Sequence, residues 1–231
     1  MGLQNASQQF QQLIEDRLLP VKDVCDPYID DIIVGTWVGP GEDLLKAHDS
    51  DVRRVLELLK KDQFVADQKK CRFFVPEVEF CGHILGRGER RPAPGKLRAI
   101  EKWELPQNVS ALRAFLGFTN YYGSYIRDYA KIVARLMDKL KVPRDIGKKG
   151  SKSPILWEPE DVQAFEEIKK LLCSSLSLQR VNPDKPFVIR VDASKYAVGA
   201  TLEQLIDEMR APTIDDVRDQ KTTPVAFMSR K

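Results

Sequence analysis

The sequence predicts an α+β chain, and three observations carry that prediction. Apolar residues recur at helical spacing in several separate stretches. Short β-branched or alternating runs, bounded by glycine and proline, lie among them. Near the end, three further strand-like runs follow one another as an antiparallel meander. The length of 231 residues suits one large or two small domains. The charged and apolar fractions, 31% and 42%, are those of a globular chain. No apolar run approaches the roughly 18 residues that span a bilayer. The start, Met1-Gly2-Leu3-Gln4-Asn5, lacks the basic region and apolar core of a signal peptide. Ser7 falls one position late for a myristoylation signal. A soluble, intracellular protein of the cytoplasm or nucleus is expected. A net charge of +3 excludes a wholly basic nucleic-acid glove and shifts attention to local charge. Four cysteines without a C-x-x-C pair, and two histidines not spaced as zinc partners, read as reduced thiols and no zinc site.

From the N-terminus, Phe10, Leu13, Ile14 and Leu18 mark an amphipathic helix. In Val24–Gly35, two adjacent carboxylates, Asp30 and Asp31, interrupt an apolar β-branched run. Uncompensated buried charge costs several kcal/mol, so three outcomes are open: a tight turn with both carboxylates in water, a pairing with buried Arg or Lys, or a bound metal. Pro27 fits only an edge or a bulge. Gly39-Pro40-Gly41 marks a turn. Asp49-Ser50 caps a helix running to Lys61 on Val52, Val55, Leu56 and Leu59. Strands are expected at 71–75 and 78–85, with a turn at Gly86–Gly88. His83 reads as a hydrogen-bonded structural histidine.

Pro94 suits a first helical turn, and Leu105-Pro106 ends that helix. Ser110 caps the next, with an apolar stripe of Leu112, Phe115, Leu116 and Thr119. Arg113, Asn120, Tyr121, Tyr122 and Arg127 add cationic and aromatic groups along it, and the tyrosines suit either a core or a nucleic-acid surface. A helix to about Leu140 leads into a basic linker through residue 153, broken by Pro143, Gly147 and Gly150. Glu158, Glu160 and Asp161 give the following helix an acidic start that complements its dipole, with Phe165, Ile168 and Leu172 buried. Pro186–Ser194 reads as a strand ending in a carboxylate, Asp192. Tyr196–Leu202 and Pro224–Lys231 are the next two strands.

Several of these stretches resemble known sequence patterns. Tyr28-Ile29-Asp30-Asp31 between apolar strands resembles the catalytic hairpin of reverse transcriptases. The preceding Gly2-Leu3-x-Asn5-Ala6-x-x-x-Phe10-Gln11-x-Leu13 is similar to the segment before that hairpin, with Ser7 where a proline is usual. Phe80-x-Gly82-His83-Ile84-Leu85 with Arg91-Pro92-x-Pro94-x-Lys96-Leu97, and Leu112-Arg113-x-Phe115-Leu116-Gly117-Phe118-Thr119-Asn120-Tyr121-Tyr122, resemble the Pol polyproteins of gypsy-type long-terminal-repeat retroelements. The Leu156-Trp157 helix matches the same pattern. Asp192-Ala193-Ser194-x-x-Ala197-x-Gly199-Ala200-x-Leu202-x-Gln204 is similar to the opening of retroelement ribonuclease H domains.

The resemblance implies a division into the C-terminal part of a reverse-transcriptase palm (1–91), a helical thumb (92–140), a basic linker with a connection helix (141–180) and the N-terminal part of an RNase H-like α/β domain (181–231). It implies that Asp30 and Asp31 hold divalent metal at the polymerase site, and Asp192 at the nuclease site. Tyr28 lies at the primer end and Gln11 touches template or nucleotide. Arg113, Asn120, Tyr121, Tyr122 and Arg127 track the duplex backbone. The implied partners are an RNA/DNA hybrid or template–primer duplex and, in the intact enzyme, a dNTP. The implied cofactor is Mg²⁺ or Mn²⁺, two ions about 4 Å apart in phosphoryl transfer. The palm's first metal carboxylate is expected before Met1 and the remaining nuclease carboxylates after Lys231. The chain alone is therefore expected to bind metal weakly and to be inactive. A non-catalytic nucleic-acid-binding protein derived from a retroelement is the alternative.

Overall fold

The computed structural model describes residues 5–141, 153–174, 176–182, 185–193, 197–206 and 221–230. Most of the basic linker, together with Ser194, Tyr196 and Lys231, lies outside the described residues. The fold is a mixed α/β chain whose paired strands are antiparallel. It divides into two compact units, Met1–Cys81 and Gly82–Lys231.

In the first unit, helix α1 (Ala6–Leu18) packs Ile14 and Leu18 inward, with Phe10 alongside, while Leu13 points outward. A single 3₁₀ turn, Leu19–Val21, leads into β1 (Cys25–Tyr28), which pairs with β2 (Asp31–Val34). Helix α2 spans Leu44–Lys61. It starts five residues before the expected cap, because the Asp43 carboxylate accepts hydrogen bonds from the Leu45 and Lys46 N–H groups. Its Val55 and Leu59 close a core with Ile14, Leu18, Val21 and Cys25. Arg54 binds Asp51 on its own helix and Asp23 ahead of β1. The expected strand at 71–75 is absent. Phe74 has φ +55°, which extended pairing does not allow, and residues 71–75 have no strand partner among the described residues. The single strand expected at 78–85 is two, β3 (Glu77–Phe80) and β4 (His83–Gly86).

In the second unit, β4 and β5 (Glu89–Pro92) form a hairpin at the expected glycine turn. Arg87 and Gly88 both have positive φ, the geometry of a type I′ turn. Helix α3 (Pro94–Glu101) begins on its proline as expected. Helix α4 (Val109–Tyr121) is capped by Asn108 rather than Ser110, its side chain accepting from Ala111 N–H at 2.9 Å. A 3₁₀ turn (Gly123–Tyr125) separates α4 from α5 (Tyr129–Lys139), and α6 spans Pro159–Cys173. Strand β6 (Leu178–Gln179) pairs with β5. The core is built from Ile100, Leu112, Phe115, Leu136, Phe165, Ile168 and Leu172, all essentially inaccessible to solvent.

Strands β7 (Phe187–Ala193), β8 (Val198–Leu205) and β9 (Thr222–Arg230) form the meander the sequence predicts. Strand β9 docks on α5, where the Ser229 hydroxyl accepts from Ala130 N–H at 2.7 Å. Among the described residues, β7 pairs on one side alone, with β8, and Phe187, Ile189 and Val191 are exposed. No helix among the described residues is long and apolar enough to cross a membrane.

Candidate functional site

The β1–β2 register sets the geometry of the carboxylate pair. Tyr28 faces Asp31, so Ile29 and Asp30 form a two-residue loop. Cys25, Ile32 and Val34 turn one side of the ribbon into the core. Strand alternation puts Asp26, Tyr28 and Asp31 on the opposite side. Asp30 and Asp31 are both exposed at a tight turn, which excludes the pairing with buried Arg or Lys. Pro27 is tolerated because it pairs with Ile32 next to the turn-closing Tyr28–Asp31 pair, a position whose N–H would point out of a two-stranded ribbon. The Cys25 thiol is pushed up to about 11 by burial and by the Asp26 charge. The Cys81 thiol is raised by burial, then by Asp31 and Asp26, so both carboxylates act on one neighbourhood.

Gln11, expected to meet template or nucleotide, is hydrogen-bonded to the hairpin: its side-chain nitrogen donates to Pro27 O at 2.9 Å, and its side-chain oxygen accepts from the Ile29 N–H.

On α4, Arg113, Gly117, Asn120 and Tyr121 are exposed on the face opposite the core, and Arg127 is exposed beyond the 3₁₀ turn. Tyr122 departs from the expected surface role. It is 1% exposed, and its hydroxyl donates to Gly82 O at 3.1 Å, so the ring is core. One helical residue is a rotation of about 100°, which separates Tyr121 outside from Tyr122 inside. A side chain on Gly82 would place its Cβ 3.0 Å from that hydroxyl.

His83 lies stacked on Tyr121, with ring centroids 5.1 Å apart and an interplanar angle of 19°. Its Nδ1 is 2.9 Å from the Tyr125 hydroxyl. This is the structural histidine the sequence suggests. Burial and the Arg90 charge push its pKa down to about 4, so it is neutral near pH 7. Arg90 lies 5.1 Å over the Tyr125 ring. Sequence reasoning missed Arg90 because nothing in the β4–β5 turn motif signals an aromatic partner 35 positions away.

Asp192 is exposed on β7, opposite Gly199, which in turn pairs with Ser229. A Cβ on Gly199 would lie 2.9 Å from Asp128 Oδ1, so this rung approaches the start of α5 closely. Among the described residues, no group of three or more His, Cys, Asp or Glu side chains is arranged to hold a metal ion.

Comparison with known proteins follows the same lines. Residues 157–231 match the family described as the RNase H-like domain found in reverse transcriptase. The chain is 36% identical, over 99% of its length, to the retrovirus-related Pol polyprotein from transposon opus of Drosophila melanogaster, and covers 21% of that protein. It is 31% identical over 88% of its length to the corresponding polyprotein from transposon gypsy of the same species, covering 19% of it. The Tf2-3 polyprotein of Schizosaccharomyces pombe is 30% identical over the full chain, which covers 15% of it. The chain thus spans about a fifth or less of the length of these curated relatives. Its fold is similar to the foamy viral protease–reverse transcriptase dRH in complex with dsDNA, with TM-score 0.76 and 19% identity over 99% of this chain and 36% of that one. The foamy viral protease–reverse transcriptase in complex with an RNA/DNA hybrid gives TM-score 0.74 and 19% identity over 100% of this chain and 28% of that one. The homologues of this chain are the Pol polyproteins of gypsy-type and Tf2 retrotransposons, and its residues 157–231 correspond to the RNase H-like domain found in reverse transcriptase.

Proposed function

We propose that this chain is the stretch of a reverse transcriptase that carries the carboxylate hairpin of the palm, the thumb and the opening of the RNase H domain, and that it holds an RNA/DNA template–primer. The observation that carries this reading is the Tyr28–Asp31 turn, which lifts two adjacent carboxylates into solvent on a ribbon whose other side is buried. In this reading residues 1–91 end the palm, 92–140 are the thumb, 141–180 the basic linker and connection helix, and 181–231 the start of the nuclease domain. The protein acts in the cytoplasm or nucleus, and in the intact enzyme the incoming partner is a dNTP.

Asp30 and Asp31 offer hard oxygen donors, the ligand type that Mg²⁺ and Mn²⁺ prefer, and are the residues that would hold such an ion. The ion, when bound, supplies charge stabilisation at the reacting phosphate. Tyr28 lies on the same side of the ribbon as Asp31 and packs beside the primer end. Arg113, Asn120 and Arg127 contact backbone phosphates, and Tyr121 offers an exposed ring backed by neutral His83. Asp192 is the nuclease carboxylate.

The test is binding of a fluorescent RNA/DNA hybrid by anisotropy as salt is raised. Each phosphate contact contributes about −0.7 to −0.9 to the slope of log K against log salt. Arg113→Ala is expected to flatten that slope by about one. Asp30→Asn with Asp31→Asn is expected to abolish any Mg²⁺-dependent part of the binding. A slope unchanged by Arg113→Ala would remove the thumb assignment. Binding with no Mg²⁺-dependent part, left intact by the carboxylate substitutions, would favour a non-catalytic nucleic-acid-binding protein.

A further inference from the structure

The carboxylate turn has an unsuitable residue at its sharpest point. Of its two loop residues only Ile29 has positive φ, +53°. That is the pattern of a type II′ turn, whose first loop position favours glycine. A β-branched residue in that conformation is a true outlier, and such strain persists only where the surroundings impose it. Gln11 is placed to impose it. Its carboxamide accepts from Ile29 N–H and donates to Pro27 O. Those two backbone groups flank Tyr28 on the outer edge of β1, and the side chain pairs with them as a neighbouring strand would. The Gln11 nitrogen also lies 2.5 Å from Glu15 Oε1 on the same helix, which orients the amide. One residue away, Phe10 packs against the core that seats α1.

We infer that Gln11 is a positioning residue: α1 reaches across to clamp Pro27 and Ile29, and so fixes the turn that presents Asp30 and Asp31 to a divalent cation. The clamp is set by geometry alone, and its purpose rests on the carboxylate reading proposed above. Gln11 touches neither metal nor nucleic acid in this role.

The test uses the whole ¹⁵N-labelled chain with Gln11→Ala and Gln11→Glu, and Mn²⁺ as the paramagnetic probe. Gln11→Ala is expected to speed amide exchange at Ile29 by about tenfold, the effect of one net hydrogen bond. The Mn²⁺ concentration that half-broadens the Asp30 and Asp31 amides is expected to rise by a similar factor, about tenfold, as the competent turn becomes a minor state. The thermal midpoint should stay close to wild type, because Ile14, Leu18 and the rest of that core are untouched. Gln11→Glu discriminates further. At pH 7 its carboxylate still accepts from Ile29 N–H but cannot donate to Pro27 O, so Ile29 exchange is expected to stay slower than in Gln11→Ala. Exchange at Ile29 within about twofold of wild type in Gln11→Ala, or as fast in Gln11→Glu as in Gln11→Ala, would overturn the clamp. Wild-type amides that ignore Mn²⁺ while Ile29 exchange still responds to Gln11→Ala would overturn the carboxylate reading and leave the clamp standing.

Discussion

Asp161 offers the sharpest energetic prediction. Its carboxylate is 0% exposed, yet it bears three close donors: Arg135 Nε at 2.8 Å, Lys139 Nζ at 2.7 Å and the Glu158 N–H at 2.9 Å. The last belongs to a capping box that starts α6, and the first two tie α6 to α5. Asp161→Asn keeps the shape and removes the charge. Two charge-assisted hydrogen bonds are worth about 1.5–3 kcal/mol each, and asparagine keeps an acceptor at one oxygen position while its NH₂ faces a donor at the other, so the loss is about 2–4 kcal/mol. Arg135 is half-exposed and also held by Glu158 and Glu160, so it is not left as a buried orphan. Burial pushes the Asp161 carboxyl up, but hydrogen bonds from Lys139, the Glu158 N–H and Arg135, with the Lys139 charge, outweigh it and hold the pKa below the ordinary carboxylate value. A depressed folded-state pKa contributes stability that is fully present above the unfolded pKa, about 3.9, and is lost as pH falls through the folded value. The wild-type advantage over Asp161→Asn should therefore hold at pH 7 and shrink as pH falls below about 4. Urea unfolding followed by fluorescence of Trp103 and Trp157, both packed on the larger core, reads this in a Trp37→Phe background. A difference below about 0.5 kcal/mol at pH 7, or one that does not narrow in acid, would refute the reasoning.

Three further outcomes follow from the same geometry. His83 should show no imidazole titration by NMR until pH approaches about 4. Its depressed pKa makes stability independent of this group above about 6.5, and lost as pH falls from there through the folded value. In Gly123→Ala the new Cβ would sit 2.9 Å from Tyr129 Cδ1, and the ring cannot move without straining its 2.7 Å hydrogen bond to buried Thr119. A loss of about 1–3 kcal/mol in chemical unfolding is expected. Along β7, amides on the side away from β8 should exchange rapidly, while those paired with β8 are slower, and Ile189→Lys should raise solubility with stability changed by less than about 0.5 kcal/mol.

Much of the local structure was legible because its causes are local. Pro94 starts α3, Arg87-Gly88 turns β4 into β5, and the acidic start of α6 lies where the sequence reading put it. The runs that failed did so for want of a partner or a cap. Phe73-Phe74-Val75 has the composition of a strand but no strand partner among the described residues. Asp43, not Asp49, starts α2, because its carboxylate reaches two free helical N–H groups. Strand β6 has only two residues and exists because β5 offers it a ladder from far earlier in the chain, with Glu89 paired to Gln179 and Arg90 to Leu178.

What the sequence supplied unaided is the adjacent carboxylate pair, most of the helices and strands in their order, and the likeness to retroelement Pol, since each is written in neighbouring residues. The tertiary structure alone decided which side chains face outward. Gln11 clamps a hairpin, Tyr121 lies outside while Tyr122 lies in the core, and Asp161 joins two helices through cations 22 and 26 positions away. Such outcomes turn on contacts between residues far apart in the chain, and a periodic pattern states only that a face is buried, never what it is buried against.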